Sequence, residues 1–442
     1  MRCPTLNELP PPPPGKVGWP WTEETPREAT AGADSSSSPR ISIVTPSFNQ
    51  GPFLEETIRS VLLQGYPDLE YIIIDGGSSD DSVEIIRKYE KWLAYWVSEK
   101  DSGQTHAINK GSARSAGEIC AYLNSDDVFL PNALRNAAWF FDKHREAAVA
   151  YGDCQIIDES SRVNDLWVAP EFDLLELLFR CYIAQPSTFW RESVTSDVGA
   201  FNAEMHYAFD YEMWLRMAAA RHKLSHMPVL LAQHRKAEGT KTVSRPEAFA
   251  AEIISALQKF FSSPDLPPAL KSVEPDAYAI AFLNHALLNF RLERIAEARG
   301  ALQSAFQHSP NLLVRQRERI IRALVDNADP SSQIDHARAY LECVFTQLPE
   351  NARSLLPLRS GAQRRVEILN AGRSQDRQAL RRARRLLLPA LINDSSWMRN
   401  HSARRELLGV LIGDAAVRRL AGFQHVLRTA RGAFSSTRKD YA

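Results

Sequence analysis

The sequence predicts an α/β fold with a mostly parallel sheet sandwiched by helices, followed by an all-α region. Short β-branched runs such as ISIVTPS (41–47) and LEYIIID (69–75) alternate with helical patterns over residues 40–262. Strand signals stop near residue 265, beyond which the patterns are helical. Because 442 residues exceed one ordinary compact core, we expect two domains, at residues 40–262 and 263–442.

The N-terminal stretch, residues 1–39, is rich in Pro and Ser and includes PPPPP (10–14) and SSSS (35–38). A segment of this composition has little apolar surface to bury. We therefore expect a disordered lead before the first domain.

Strands and helices are predicted to alternate through the first domain. Helical periodicity between the first two strands marks one β-α-β unit. The later elements, in order, are the helix DSVEIIRKYEKWL, the strand AYWVSE, the helix QTHAINKGSARSAG, the strand EICAYL, the helix NALRNAAWFFDKHRE and the strand AAVAYGDCQIID. Such alternation is typical of an open sheet covered by helices.

Polar clusters follow four predicted strands, at Thr45–Asn49, Asp75–Asp81, Glu99–Gly103 and Asn124–Asp127. Ligands of open α/β sheets bind outside the carboxyl ends of the strands. An Asp pair at 126 and 127 is, taken alone, more typical of a turn or helix cap than of a metal site. The four clusters together favour a site for Mg²⁺ or Mn²⁺ held by carboxylates and substrate phosphates.

Several function classes are not favoured by the sequence. It has neither a G-x-x-x-x-G-K-[ST] loop nor a G-x-G-x-x-G pattern after the first strand. Lys and Arg balance Asp and Glu at 53 each, so we expect no specific nucleic-acid partner. Five scattered cysteines, no signal-peptide pattern and no run of ~18 apolar residues predict a cytoplasmic protein, soluble or peripheral to a membrane.

The second domain carries a weak repeat and a basic tail. ARGALQSAFQHSP (298–310) is echoed 39 residues later by ARAYLECVFTQLP (337–349). The echo suggests paired helices of tetratricopeptide-like type, although that motif usually repeats at ~34 residues. Residues 353–442 hold 19 Arg and Lys against 6 Asp and Glu. This tail could meet an anionic membrane, nucleic acid or an acidic partner, or simply be a solvated charged face.

The motif series TPSFNQ, IIIDGGSSDDS, EKDSGQTHAINKG and GEICAYLNSDD resembles the inverting family-2 glycosyltransferases of GT-A fold, over roughly residues 41–250. The resemblance implies transfer of a sugar from a nucleotide-diphosphate donor to a hydroxyl acceptor, with Mg²⁺ or Mn²⁺, in polysaccharide or glycoconjugate synthesis. The acceptor would be a glycan or a lipid-linked molecule. A lipid-linked acceptor would suit docking of the basic tail on an anionic leaflet.

The resemblance also implies roles for individual residues. Asp75 would hold the nucleobase, Asp101 would line the nucleotide pocket, and Asn124-Ser125-Asp126 stands where the family has its D-x-D motif. Asp126 would then bind the metal directly. The other implied contacts to the nucleotide sugar are Thr45, Pro46, Asn49, Gly103, Asn109, Lys110 and Arg235.

The catalytic base implied by the resemblance is Asp210, in VGAFNAEMHYAFDYEMWLRM (198–217). Glu212 is the second choice, and an N-cap of the following helix is the alternative role for Asp210. In LLAQHRKAEGTKT (230–242), His234 would join the metal and Arg235 the diphosphate, although both could belong to a structural strand end. Gln185, Ser187 and Trp214 are implied on the acceptor side; a buried tryptophan would instead be core.

A function of another class stays open from the sequence. A catalytically silent GT-A domain on a helical scaffold could bind a glycan-synthesis complex. Asn124 in place of the first Asp and the repeat-like region slightly favour this function, and the retained Asp75, Asp101, Asp126 and Asp210 count against it. Nucleotidyl transfer is less favoured, because no Gly-rich, Arg-containing loop follows the first strand.

Overall fold

The computed structural model describes residues 2–26, 38–236, 246–264, 266–328 and 334–373. The chain divides into two compact units after Pro267, close to the predicted boundary between residues 262 and 263. The two units are described separately.

A mixed sheet forms the centre of the first unit. The described strands are β1 (Ile41–Ser47), β2 (Leu69–Asp75), β3 (Tyr95–Ser98), β4 (Ile119–Tyr122), β5 (Val128–Phe129), β6 (Val149–Ile157), β7 (Val163–Trp167), β8 (Thr188–Arg191) and β9 (Leu224–Arg235). Their order is β3-β2-β1-β4-β8-β6-β9-β5, with β7 on β6. Strands β1 to β4 are parallel, and β9 is parallel to β6.

The α/β class is confirmed, but the sheet contains antiparallel pairs at β5, β7 and β8. The first-unit helices are α1 (Gly51–Leu62), α2 (Ser82–Tyr89), α3 (Gln104–Ser112), α4 (Ala133–Lys143), α5 (Leu174–Phe179), α6 (Glu192–Val198), α7 (Phe209–Ala219) and α8 (Pro246–Phe261). Every residue of β1 is buried, as expected for a central strand with helices on both faces.

Residues 2–26, which we call the N-terminal strap, pack on the first unit. The guanidinium of Arg59 in α1 is fully buried and donates to the carbonyls of Pro10, Pro20 and Trp21, at 2.9, 3.0 and 2.8 Å. Trp19 Nε1 donates to the carbonyl of Phe129 at 2.8 Å. The predicted disorder of residues 1–39 is therefore wrong for the strap, whose carbonyls satisfy a buried cation. Residues 27–37 lie outside the described residues.

The second unit is helical where the structure describes it, as predicted. Its helices are α9 (Pro268–Lys271), α10 (Glu274–Arg291), α11 (Ile295–His308), α12 (Leu312–Asn327), α13 (Ile334–Thr346) and α14 (Arg359–Arg373), with a 3-10 helix at Glu350–Leu358. The sequence echo falls on α11 and α13. Both bury Ala, Leu and Phe at equivalent places, namely Ala298 and Ala337, Leu302 and Leu341, and Phe306 and Phe345.

The tetratricopeptide-like type of this unit stays a prediction. Most of the basic tail, residues 374–442, lies outside the described residues. Across the part of the chain that the structure describes, no helix is both long and apolar enough to span a membrane.

Candidate active site

The site lies at the carboxyl ends of the parallel strands. Strand register places Ser47 at the end of β1 beside Asp75 at the end of β2, and Asp75 beside Ser98 at the end of β3. The turn Asn124–Asp127 follows β4 at the same edge. The end of β9 reaches this turn through His234 and Arg235, which both contact Asp127.

Asp127 is a structural carboxylate. It is fully buried, and its Oδ1 accepts a hydrogen bond from the backbone N–H of Arg235 at 2.9 Å and lies 3.1 Å from Nδ1 of His234. Its Oδ2 accepts from Nδ2 of Asn124 at 3.2 Å, and its carbonyl accepts from the hydroxyl of Thr57 at 2.7 Å. Asp127 therefore ties β9 and α1 to the turn.

Asp126 is the partly exposed carboxylate of the turn. Burial and then the neighbouring Asp127 raise the pKa of Asp126 above its usual range, and His234 opposes them. Arg235 Nε donates to the backbone carbonyl of Asp126, not to its carboxylate. Charge on this carboxylate is thus poorly compensated by the protein itself, so a cation bound there would be stabilised.

His234 contacts Asp127 through one ring nitrogen, Nδ1. Burial lowers the pKa of His234, but the charge and hydrogen bond of Asp127 outweigh it, so the net pKa is raised. Across the described residues, Nε2 of His234 has no hydrogen-bond partner. A carboxylate on one nitrogen is the usual arrangement of a metal-binding histidine whose other nitrogen is the ligand.

Arg235 is fully buried beneath the turn. Its guanidinium donates to Glu56 at 2.9 Å, to the hydroxyl of Ser161 at 3.1 Å and to the carbonyls of Asp126 and Asp158 at 2.8 Å. The predicted contact of Arg235 with a diphosphate does not agree with this burial. Arg235 supports the backbone of the turn Asn124–Asp127 instead.

Asp210 lies in the first turn of α7 and is partly exposed. Ala208 is the N-cap residue, so the alternative of an Asp210 N-cap is not observed. Burial raises the pKa of Asp210 to about 6, against a hydrogen bond from the N–H of Tyr211 and the charge of His234. His234 therefore acts on both Asp126 and Asp210.

Several residues predicted to bind the nucleotide sugar use their polar groups inside the protein. Asp75 is fully buried and accepts hydrogen bonds from the N–H groups of Gly77 and Ser78 and the hydroxyls of Ser78 and Ser98. Thr45 is buried with its hydroxyl 3.1 Å from that of Tyr71. For Asp75 and Thr45 the structure favours support of the pocket over direct contact.

Three predicted amide side chains also act within the protein. Asn49 accepts from the N–H of Ser79, and Asn109 donates to the carbonyl of Phe201 and accepts from its N–H. Asn124 accepts from Nε2 of Gln104 at 2.6 Å and donates to Asp127 and Gln185. The amide of Asn124 is thus a structural link, so its identity says little about catalysis. Pro46 and Ser125 are buried.

Asp101, Gly103 and Lys110 line the same edge and are partly exposed. Asp101 Oδ1 accepts from the N–H of Gly103, whose φ of 116° suits only glycine. Lys110 pairs with Glu99. Asp101 stays a candidate for contact with the nucleotide.

The residues predicted on the acceptor side are buried. Gln185 donates to the carbonyl of Tyr122, and the hydroxyl of Ser187 donates to the carbonyl of Gly152 or Ala184. Trp214 is fully buried beside Trp190, their ring centroids 6.2 Å apart. A position on the acceptor surface does not agree with the burial of Trp214, whose ring belongs to the core.

Comparison with known proteins identifies the class of this site. Residues 42–199 match the family described as Glycosyl transferase family 2. A protein named "uncharacterized glycosyltransferase" of Mycobacterium tuberculosis (strain CDC 1551 / Oshkosh) is 30% identical over 186 residues, which are 41% of this chain and 70% of that protein. The chain belongs to glycosyl transferase family 2. It is a glycosyltransferase, and its expected GT-A fold agrees with the sheet described above.

Two further proteins are similar to this chain. A "PGL/p-HBAD biosynthesis glycosyltransferase" of Mycobacterium bovis (strain BCG / Pasteur 1173P2) is 27% identical over 184 residues, 41% of this chain and 70% of that protein. A crystal structure of S. aureus TarS 1–349 in complex with UDP-GlcNAc is 20% identical, with a TM-score of 0.47, over 73% of this chain and 88% of that one.

In this family 2 chain, one exposed aromatic residue at the site, Phe48, is not among the residues predicted from the sequence. Phe48 follows β1 directly and is 59% exposed. Nearby, the hydroxyl of Ser47 is buried without a hydrogen-bond partner in the described structure. The sequence does contain a signal for Phe48, because an aromatic residue within a polar cluster at the end of a strand is not expected to pack in the core.

The residues present fit a divalent metal ion only in part. Within the described ranges, no group of three or more His, Cys, Asp or Glu side chains is placed to hold a metal. Among the described residues, no other residue donates a hydrogen bond to the Asp126 carboxylate or occupies Nε2 of His234, so both could act as metal donors. Mg²⁺ is commonly held by one or two protein ligands together with substrate phosphates, so this pair fits a metal that arrives with a diphosphate.

Proposed function

We propose that this family 2 enzyme is a metal-dependent, inverting glycosyltransferase that moves a sugar from a nucleotide-diphosphate donor to a hydroxyl acceptor. One observation carries the proposal. Two partly exposed carboxyl groups, Asp126 and Asp210, have raised pKa values and both interact with His234. Inverting transfer needs one base for the acceptor and one site for the leaving diphosphate, and these two carboxylates supply them.

Asp210 is the proposed general base. A pKa of about 6 leaves Asp210 ionised at neutral pH while making it a stronger base than an ordinary aspartate. Asp210 would take the proton of the acceptor hydroxyl as its oxygen bonds to the anomeric carbon and the bond from that carbon to the diphosphate breaks. The bonding electrons leave with the diphosphate, so no covalent enzyme intermediate is needed.

Asp126 and His234 are the proposed holders of Mg²⁺ or Mn²⁺. A bound divalent ion would offset the negative charge that develops on the leaving diphosphate. Asp127 keeps the ring of His234 oriented, and the backbone contacts of Arg235 keep the turn in place. Both contacts lie within the protein, so they hold the His234 ring and the turn in place before any substrate binds.

The acceptor is proposed to belong to polysaccharide or glycoconjugate synthesis. The name of the M. bovis relative, a glycosyltransferase of PGL/p-HBAD biosynthesis, supports this direction at 27% identity. A lipid-linked acceptor, with the basic tail on the cytoplasmic membrane face, is the form of this proposal that the charge of residues 353–442 supports. Asn124 no longer supports the alternative of a silent scaffold, because its amide serves a structural network; the repeat-like helical region still leaves that alternative open.

The test is calorimetric titration of the full chain with a panel of nucleoside diphosphates and sugar nucleotides, with Mn²⁺ and with chelator. Metal-dependent binding of one nucleotide, followed by release of that nucleoside diphosphate when an acceptor is added, is expected. A folded protein that binds none of the panel would overturn the proposal in favour of the scaffold.

A further inference from the structure

Three successive backbone N–H groups, those of His206, Tyr207 and Ala208, converge on one carboxylate, Glu252 of α8. Oε1 of Glu252 accepts from His206 at 2.9 Å, and Oε2 accepts from Tyr207 and from Ala208, both at 2.8 Å. Consecutive N–H groups that point into one concavity form a typical anion-binding arrangement. Here the anion is a side chain of the protein.

This carboxylate stands where α7 begins. Ala208 is the N-cap residue of α7 and has no side chain with which to cap it. A negative charge near a helix N-terminus is favourable, so Glu252 supplies from another helix what Ala208 lacks. Asp210 lies only two residues further along, in the first turn of α7.

The segment before Asp210, residues 199–208, is also held by two side chains of α3. Asn109 of α3 makes two hydrogen bonds with the backbone of Phe201, at 2.7 and 3.0 Å. Thr105 of α3 donates to the carbonyl of Met205 at 2.8 Å. Glu252 completes these contacts at the end nearest the proposed base.

We infer that Glu252 is a positioning residue for glycosyl transfer: its carboxylate fixes the backbone from which Asp210 reaches the acceptor hydroxyl. The inference rests on the proposed role of Asp210 as the base. Glu252 also lies beyond residues 42–199, the segment that matches the family. A displacement of about 1 Å in a reacting group can cost on the order of 10²-fold in rate, so fixing this backbone matters to turnover.

Glu252 also has an electrostatic effect on Asp210. Among the described residues, the titratable groups that interact with Asp210 include Tyr122 of β4, Cys181 after α5, His234 of β9 and Glu252 of α8. Beyond burial, which is the main cause of the raised pKa of Asp210, Glu252 raises it further and His234 lowers it. Removal of the Glu252 charge should therefore lower the pKa of Asp210.

Two variants separate position from charge. Glu252→Gln removes the charge and replaces one acceptor oxygen by an NH₂ group that faces N–H donors. Glu252→Asp keeps the charge but is one methylene shorter. Both should lower kcat on the order of 10- to 100-fold while metal-dependent nucleotide affinity stays as in the unaltered chain. Only Glu252→Gln should also move the acid limb of the kcat–pH profile to lower pH.

The matched control is Glu204→Gln, which removes a carboxylate that is 87% exposed from the same segment without breaking a backbone contact. Its kcat and acid limb should stay unchanged. Nucleotide titration of each variant checks that the site is folded. The inference is overturned if Glu252→Gln keeps normal kcat, or if it lowers kcat and nucleotide affinity equally with an unmoved acid limb. An unaltered chain that transfers no sugar would overturn the proposed function as well.

Discussion

Nδ1 of His234 lies 3.1 Å from Oδ1 of Asp127, a carboxyl group with no exposed surface. Because a carboxylate can only accept, the contact assigns a proton to Nδ1, and in the neutral ring Nε2 is then the lone-pair nitrogen. The pair therefore joins the end of β9 to the turn after β4, where His234 also interacts electrostatically with Asp126. The two adjacent carboxylates of the turn thus have different tasks.

The first prediction concerns the order of binding. Because the described protein offers Asp126 and His234 but no third side chain, Mn²⁺ alone should bind weakly and should bind tightly with the nucleoside diphosphate. Asp126→Asn should weaken metal-dependent nucleotide binding by on the order of 10- to 100-fold or more, measured by calorimetry. Asp142→Asn, on the exposed face of α4, is the control. Unchanged metal-dependent nucleotide affinity in Asp126→Asn would exclude Asp126 as a ligand.

The second prediction concerns Asp210→Asn. This variant should bind donor and metal normally but lose about 10²- to 10⁴-fold in kcat, because the amide cannot accept the acceptor's proton. Turnover close to that of the unaltered enzyme would remove Asp210 from the role of base. Glu212→Gln is then the next variant to assay.

The same substitution should change stability in a pH-dependent way. The folded-state pKa of Asp210 is raised to about 6 from 3.8, so ionising it destabilises the folded protein as pH rises between those values. Asp210→Asn should therefore raise Tm at pH 8, with the gain fading below about pH 4. A variant that is less stable than the unaltered chain at pH 8 would show that Asp210 is held by compensating contacts.

The rate itself should depend on pH through Asp210. Since the base must be ionised, kcat at saturating donor should fall about tenfold for each pH unit below about 6. Saturation matters because Asp126 and His234 also have raised pKa values and would alter binding. A kcat that is flat down to pH 4.5 would mean that another step, or another group, limits the reaction.

The buried ion pair of Arg235 and Glu56 should matter for stability because loss of one partner leaves the other charge buried without its counter-charge. Arg235→Met leaves Glu56 buried and unpaired and should cost about 3–5 kcal/mol in denaturant unfolding. Adding Glu56→Gln should recover part of that loss. The control Arg162→Met breaks a surface pair whose arginine is 78% exposed and should change little. A double variant as unstable as Arg235→Met would show that the lost contacts to Asp126 and Asp158 dominate.

Phe48 should contribute a stacking surface for the nucleobase. Stacking of a base on an aromatic ring is worth about 1–3 kcal/mol, so Phe48→Ala should weaken nucleotide binding on the order of 10- to 100-fold, whereas Phe48→Tyr should not. Trp139→Ala, which removes an aromatic that is 56% exposed on α4, is the matched control. Unchanged nucleotide affinity in Phe48→Ala would place the base elsewhere.

The sequence predicts the strands and the edge of the sheet, but it does not separate ligands from supports. Asp75 follows a strand as a ligand would, yet the same short side chain also suits a turn that gathers nearby N–H and hydroxyl groups. Asp126 and Asp127 are neighbours in sequence, and only burial tells the exposed carboxylate from the structural one. Local pattern carries no information about which oxygen already has a donor.

Long-range partners account for the remaining differences. Asp127 contacts His234 and Arg235, which lie 107 and 108 positions further along the chain. Glu252 contacts backbone N–H groups, which no particular residue type marks in the sequence. The N-terminal strap is similar, since a proline-rich stretch supplies carbonyl acceptors for Arg59, whose need for them cannot be read from a helical pattern. These contacts form only when the fold brings distant residues together, so a local sequence pattern does not predict them.

The segment that matches the family ends at residue 199, but the proposed base and the second proposed metal ligand lie beyond it. A shortened enzyme made of residues 42–199 would keep Asp126 but would lack Asp210, His234 and Arg235. It would also leave the cation of Arg59 without its strap carbonyls. An exchange of modules between relatives along that boundary would therefore join Asp126 of one enzyme to the proposed base and the second proposed metal ligand of another, so the swap tests whether the two parts of the site must come from the same enzyme.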